Sequence, residues 1–291
     1  MFSSSGPVVV LGAPTDAHVH LGLMDRDAVA RSVLGRVVDL GGDLTAPRVL
    51  AGDPGIPPLR VEVAGPFLTA PGGYPSDRGW AESSWVRQIA DVEAGASAID
   101  AIADAGAARV KIASNSTAGP TFGDGMLAAL VAHATRRGLP VVLHAEGPGQ
   151  AAAALRAGAR YLAHAPFTEP LSRDEIAEHA ARITWISTLA IHPIGSAERL
   201  TAVENVAAFH AAGGRVLYGT DMGNGPTPAG LNPAELDALR DAGLTTSDLL
   251  VALDLADPRD PASRLMMVDG EGDELDLATA RPMTADERHE R

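Results

Sequence analysis

Six residues stand out by their type and by what precedes them: His18, His20, Lys111, His144, His164 and Asp221. The first two belong to Asp16-Ala17-His18-Val19-His20. In an extended segment residues i and i+2 point to one side, so both imidazoles face one way and Val19 the other. Two imidazoles held like this form half of a divalent-metal site. His144 ends Val141-Val142-Leu143-His144, His164 ends Tyr161-Leu162-Ala163-His164, and Asp221 ends Val216-Leu217-Tyr218-Gly219-Thr220-Asp221. A polar group closing an apolar run is costly to bury unless it is hydrogen-bonded or metal-bound. One such residue is ordinary. Three of them beside an HxH pair point to a shared ligand.

Lys111 sits inside the apolar run Arg109-Val110-Lys111-Ile112-Ala113. Burial disfavours an ammonium, so its pKa should fall. A neutral amine can add carbon dioxide and become a carbamate, whose two oxygens can each bind one metal ion. Lys111 therefore moves the expectation from one ion to two. The alternative is an ion pair between Lys111 and Asp221 with no metal at all.

These residues need a scaffold that brings several strand ends together. The chain repeats one unit: a short apolar, β-branched run that ends in polar residues, followed by a helical stretch. The runs are Pro7–Leu11 leading to His18, Arg36–Leu40, Leu59–Val63, Arg109–Ala113, Leu139–His144, Ala159–His164, Ile183–His192 and Gly214–Asp221. Continuous apolar runs suit parallel strands buried on both faces. From Lys111 onward the polar ends recur every 20 to 33 residues or so, roughly the period of a (β/α)8 barrel of about 250 residues. The spacers read as helices. Ser172 and Glu175 form a capping box, and Asn232 caps a helix that has Pro233 in its first turn and Gly243 as its stop. Asp124–Arg137 ends at Gly138, and Ser84–Ala105 ends at Gly106. The expected fold is thus an α/β (β/α)8 TIM barrel formed by residues 1–269, with a polar, frayed or surface tail over 270–291. An insert at Gly65–Arg78, rich in Gly and Pro and carrying Phe67 and Tyr74, would sit at the C-terminal mouth as a lid or as a passive loop.

Composition narrows the function classes. The net charge of −14 argues against a nucleic-acid or anionic-membrane surface, since both need basic patches. The absence of cysteine excludes disulfides, Cys-ligated zinc, iron–sulfur clusters and a Cys nucleophile, and it fits a reducing compartment. Residues Met1 to Pro14 have no basic flank and no apolar run long enough for a signal or a membrane span, so a cytoplasmic location is expected. The expected partner is a small-molecule substrate, and a homo-oligomer is left open.

The order HxH…Lys…His…His…Asp resembles the amidohydrolase superfamily over about residues 14–257. The words that carry the likeness are Asp-Ala-His-Val-His-Leu at 16–21, Val-Lys-Ile at 110–112, Leu-His-Ala-Glu at 143–146 and Gly-Thr-Asp-Met-Gly-Asn at 219–224. They look most like the imidazolonepropionase-like and prolidase-like branch. The resemblance implies that His18, His20 and Asp221 hold one metal ion and that His144 and His164 hold a second. Carboxylated Lys111 would bridge the pair, zinc being the expected metal with manganese as another candidate. Two departures are visible. Only 17 residues precede the HxH in this sequence, so the accessory β-sandwich usual in that family is expected to be lacking. The sixth-strand segment reads His164-Ala165-Pro166, where a glycine commonly follows the histidine.

Two ions about 3.5–4 Å apart can share a bridging water and lower its pKa, and the hydroxide can attack a carbonyl. Asp221 would then carry the proton to the leaving nitrogen. This predicts hydrolysis of a C–N bond: an amide, an N-acyl amino acid, a dipeptide-like compound or a cyclic amide. The alternatives are a lactonase or phosphotriesterase using the same ions, or a non-catalytic metal-binding barrel. Candidate substrate contacts are His192, Asn115, Asn224 and Tyr74. His133, His179 and His210 lie in helical spacers and His289 in the tail, and all four are expected to be solvated.

Overall fold

The structure, a computed structural model, describes residues 7–290; residues 1–6 and 291, parts of the N-terminal stretch and of the tail considered above, lie outside the described residues. In chain order the strands are β1 (Val8–Gly12), β2 (Thr15–Val19), β3 (Arg36–Asp39), β4 (Val49–Leu50), β5 (Leu59–Val63), β6 (Phe67–Thr69) and β7 (Val86–Gln88). They continue with β8 (Val110–Asn115), β9 (Val141–Glu146), β10 (Tyr161–Leu162), β11 (Thr184–Ile186), β12 (Val216–Leu217), β13 (Leu265–Asp269) and β14 (Asp276–Pro282). The helices are α1 (Arg26–Arg31), α2 (Val92–Asp104), α3 (Asp124–Arg136), α4 (Gln150–Ala157), α5 (Arg173–Arg182), α6 (Ala197–Ala211), α7 (Pro233–Asp241), α8 (Thr246–Ala252) and α9 (Ala285–His289). No described helix is long and apolar enough to cross a membrane.

Two sheets carry the site. One runs β2-β3-β5-β4, parallel except for the edge strand β4; the other is a parallel sheet of seven in the order β12-β11-β10-β9-β8-β6-β7. They join at two places. β5 and β6 lie on one run of chain that turns at Gly65 (φ 74°), so its first half pairs with β3 and its second with β8. There the Ala108 amide donates to the Val63 carbonyl at 2.9 Å. At the other joint β2 lies along the chain just after β12. Ala17 N–H donates to Tyr218 O (3.0 Å) and His20 N–H to Met222 O (2.7 Å).

Side-chain alternation separates two cores. Val141 and Leu143 of β9 join the main cluster, which also takes in helical residues such as Ile99, Leu130, Ile176 and Leu239. Val142, between them, belongs to a smaller cluster with Ala17, Val38, Leu40, Ala64, Ala163, Ile186 and Leu217, none of which is helical. Residues that alternate this way along a strand must face opposite sides of the sheet. His144, two residues after Val142, falls on the same side as the smaller cluster. The helices begin where polar caps satisfy their free amides. Ser172 and Glu175 form the expected capping box at α5, and Asn232 caps α7 ahead of Pro233.

Several expectations change. The run Pro7–Leu11 is not the strand that carries the HxH pair. Pro14 lacks an amide hydrogen, and a Cβ on Gly12 would lie 1.8 Å from the Ala256 carbonyl oxygen, so the chain breaks there and a new strand begins at Thr15. β1 instead pairs with β13, and β13 with β14, in a three-stranded antiparallel sheet made from both chain ends. Beside the two sheets that carry the site there is thus one small three-stranded sheet, built from strands near both ends of the described residues. Residues 270–290 are not a frayed tail either. β14 is ordered with Leu277 fully buried, and α9 carries a capping box of Thr284 and Glu287. The 65–78 insert contains β6, and the helix expected from Ser84 starts only at Val92, after β7.

His179 is buried rather than solvated. Its Nδ1 accepts a hydrogen bond from Trp185 Nε1 (3.1 Å), which fixes the neutral tautomer. Burial, the main cause, lowers its pKa from 6.5 to about 4. The unfolded chain therefore takes up this proton first, so stability falls as pH drops from about 6.5 to 4, by up to roughly 3 kcal/mol. Denaturant midpoints measured across that range should show a steeper acid loss in the native protein than in His179→Gln, which keeps an acceptor for Trp185. A second prediction concerns the joint between β2 and the β12 end. Asp16, fully buried, accepts from His18 N–H (3.0 Å), Thr220 N–H (3.1 Å) and the Thr220 hydroxyl (2.5 Å). Thr220→Val strands one carboxylate oxygen and should cost about 1–3 kcal/mol in equilibrium unfolding.

Candidate metal centre

All six residues singled out by the sequence line one cavity of about 440 Å³. His18 lies on β2, Lys111 on β8 and His144 on β9; His20, His164 and Asp221 follow β2, β10 and β12 by one to four positions. The strand β2 carries a register shift between Asp16 and Val19, so Ala17 joins the smaller core cluster while the next residue, His18, also reaches the site. A bulge re-aims side chains in this way.

The tightest part is a triangle of His18 Nε2, His20 Nε2 and Asp221 Oδ1. The two nitrogens are 3.3 Å apart, and each lies 3.1 Å from the carboxylate oxygen. The other nitrogen of each ring faces a backbone carbonyl: His18 Nδ1 faces Ala163 O at 2.8 Å, and His20 Nδ1 faces Gly41 O at 3.3 Å. A carbonyl can only accept, so each Nδ1 carries the proton and each Nε2 presents a lone pair. Asp221 Oδ1 is buried and has no hydrogen-bond partner. Three lone-pair donors thus converge with no proton between them, an arrangement that a cation relieves. Zinc bound tetrahedrally at about 2.0–2.1 Å sets ligand atoms roughly 3.3–3.4 Å apart, close to the observed edges. His18, His20 and Asp221 can hold a divalent metal ion.

The surrounding chain enforces this geometry. Gly41 has φ 144°, and a Cβ there would fall 2.1 Å from the Phe67 ring, so only glycine lets its carbonyl reach His20. Asp221 itself has φ 54° and Thr188 φ 48°, left-handed conformations that non-glycine residues hold only when their surroundings over-determine them. Thr188 Oγ1 lies 2.8 Å from His164 Nδ1, leaving Nε2 of that ring free. Glu235, fully buried, accepts from the amides of Leu189 and Ala190 (3.0 and 2.6 Å) and so pins the segment that carries Thr188. His144 Nε2 meets Glu146 Oε2 at 2.9 Å, and its ring lies 4.8 Å from that of His164, nearly perpendicular to it.

Lys111 is buried, with Nζ 3.4 Å from His18 Nε2. Burial, the main cause, lowers its pKa from 10.5 to about 7, against the pull of Asp221 and Asp39. Among the described residues no Lys111–Asp221 ion pair forms within 4.0 Å. Burial, the largest cause, also drives His18 and His164 well below the usual histidine range, in keeping with neutral rings.

The candidate substrate contacts divide. Tyr74 and Asn224 line the cavity, and Asn224 Nδ2 donates to Asp221 Oδ2 at 2.8 Å. His192 does not line it: β11 ends at Ile186, a 3-10 turn at Leu189–Ile191 intervenes, and the imidazole packs 4.4 Å from the Phe167 ring. Asn115 does not line the cavity: its Oδ1 accepts from Thr117 N–H (3.0 Å) and the Thr117 hydroxyl (2.7 Å), and its side chain also bonds Glu146. His133, His210 and His289 lie outside the cavity, the first two beside Asp100 and Asp248. Glu146, Trp80 and Phe167 also line the cavity, beyond the residues that the sequence singles out. The Glu146 position, two residues after His144 on the same strand, was the available signal; Trp80 and Phe167 are brought in by loops that no periodicity marks.

No family model matches the chain, and no curated protein matches it in sequence. Solved structures do. An ochratoxinase from A. niger superposes with TM-score 0.70 at 17% identity, covering 91% of this chain and 78% of that one. A Xaa-Pro dipeptidase with methionine bound in its active site gives 0.68 at 17%, covering 96% and 86%. Phenylurea hydrolase B gives 0.66 at 14%, covering 95% and 84%. The chain therefore has the fold of amidohydrolase-type proteins.

Proposed function

We propose that this chain is a metal-dependent hydrolase of the amidohydrolase type, cleaving a C–N bond at a centre of two divalent ions inside a (β/α)8 barrel. The barrel reading is supported by the run of parallel strands from β2 through β3, β5 with β6, and β8 to β12, and by the hydrogen bonds at its two joints. The observation that carries the functional reading is the triangle of His18, His20 and Asp221, three lone pairs aimed at one point in a cavity. His144 and His164 would hold the second ion. Lys111 would join the two as a carbamate: its neutral amine forms an N–C bond to carbon dioxide, and the displaced proton leaves to water. A pKa of about 7 keeps much of that amine neutral near neutral pH. Zinc suits the nitrogen and oxygen donors, and manganese is also compatible.

Bound ions of this kind lower the pKa of a coordinated water and polarise a carbonyl oxygen. The chain's own residues do the rest. Asp221, steadied through Oδ2 by Asn224, is the carboxylate placed to accept the proton of the attacking water and to deliver it to the leaving nitrogen. Glu146 orients His144, and the aromatic walls of Phe67, Tyr74 and Trp80 shield the site from bulk water. The substrate is a small molecule bearing an amide, N-acyl amino acid, dipeptide-like or cyclic amide group.

Elemental analysis of the purified protein should find about two equivalents of zinc or manganese, and Lys111→Ala should lose at least one. A chelator should abolish hydrolysis in a screen of these amides. Asp221→Asn should retain metal yet lower kcat by about 10²–10⁴-fold. Full activity in metal-stripped protein would overturn the reading.

A further inference from the structure

The chain is poor in aromatic residues, with 5 Phe, 3 Trp and 3 Tyr, yet four of these line this one cavity. Three of them form a continuous wall: Phe67 and Trp80 lie 6.0 Å apart between ring centroids, and Trp80 and Tyr74 lie 6.3 Å apart. That wall rests directly on the metal-binding candidates. Phe67 is 5.7 Å from His20, and Tyr74 stacks on His144 at 5.2 Å with 27° between planes. Phe167 extends the aromatic lining past His164, 6.3 Å away. A group attached to a bond being cleaved at those histidines would therefore lie against aromatic faces. Trp80 is still 36% exposed, an uncovered indole at the edge of a cavity where a bound ring could cover it.

The charges point the same way. Lys111 is the one lysine of the chain, and among the described residues no arginine lines the cavity. Arg78 comes near, its guanidinium 5.6 Å from the Tyr74 ring, but it is exposed, pairs with Asp77 at 3.3 Å and is outside the lining. Among the described residues, the charged side chain left over in the lining, once the six proposed ligands are set aside, is Glu146. A substrate carboxylate would meet that carboxylate and find no guanidinium or ammonium to pair with. It would have to compete for the metal edge itself.

We propose that the cavity selects substrates whose scissile C–N bond adjoins an uncharged aryl group, as in an anilide or an N-aryl urea, over those carrying a free carboxylate there. This rests on the hydrolase reading above and narrows its substrate class, setting free N-acyl amino acids and dipeptides behind neutral aryl amides.

The test uses the zinc-loaded protein and matched pairs: acetanilide against N-acetylglycine, and 4-acetamidobenzamide against 4-acetamidobenzoate. The neutral aryl member should show kcat/KM at least about tenfold higher in each pair. Trp80→Ala should lower kcat/KM for acetanilide about tenfold, mainly through KM, with Trp80→Phe recovering most of it. In parallel, calorimetry compares two compounds with no cleavable amide, N-phenylmethanesulfonamide and N-(methylsulfonyl)glycine, and the first should bind more tightly. Equal or better turnover of the carboxylates would overturn the inference and leave the hydrolase reading standing. Absence of turnover with all four amides and throughout the wider screen of dipeptides and cyclic amides, alongside tighter binding of the aryl sulfonamide, would sink the hydrolase reading and keep the selectivity. Calorimetry without that preference overturns the inference whatever the turnover.

Discussion

Three lone pairs pointed at one another are the constraint around which this molecule is organised. His18 Nε2, His20 Nε2 and Asp221 Oδ1 stand 3.1–3.3 Å apart in a buried site, and the protons that could have linked them are committed elsewhere, to the carbonyls of Ala163 and Gly41. Left alone, such a cluster repels itself in a medium that screens weakly. The fold spends much of its detail on holding it together. Asp16 ties the amide of His18 to Thr220, one residue before Asp221. Gly219 is hemmed in as well, since a Cβ there would lie 2.3 Å from Ile186 and 3.2 Å from His18. Asp221 is held in a left-handed conformation that few aspartates adopt. Three lone pairs held at one point by several independent tethers are the arrangement that a cation site requires.

Burial tunes the same neighbourhood. The surroundings that push the Lys111 pKa to about 7 also raise that of Asp16 to about 7 and that of Asp39 to about 6, in each case chiefly through desolvation. Strand ends that carry titratable groups into an apolar interior make every charge there expensive unless it is paired. Further out, polar groups are spent on backbone rather than on chemistry. Glu235 caps the turn at Leu189–Ile191 and thereby fixes Thr188, whose hydroxyl sits on His164. The site is thus supported from β2, from the β12 end and from the segment before α6.

That the six residues would meet in one cavity was legible because strand ends are short-range features. An apolar run followed by a histidine places that histidine without knowledge of the partners, and period-two alternation gives its side, as Val142 and His144 illustrate. What could not be read depended on long-range pairing. β1 looks like any buried strand, and only its pairing with β13 at the far end of the chain shows that it belongs to another sheet. The bulge in β2 leaves no trace in Asp16-Ala17-His18, although it decides that Ala17 and His18 both reach the interior. His179 reads as one more polar position on a helix, and its burial follows from the Trp185 indole that meets it from the neighbouring strand. Trp80 and Phe167 arrive on loops, whose paths are set by the rest of the fold and not by their own sequence.

The central claim is that the triangle holds a metal ion and that Lys111 takes part as a carbamate. A crystal structure of metal-loaded protein, with anomalous data collected at the metal edge, tests it most directly. An anomalous peak is expected at about 2.0–2.2 Å from His18 Nε2, His20 Nε2 and an Asp221 oxygen. A second peak is expected near His144 and His164, with planar density continuing from Lys111 Nζ between the two. An empty site with an unmodified Lys111 ammonium hydrogen-bonded to Asp221 would contradict it.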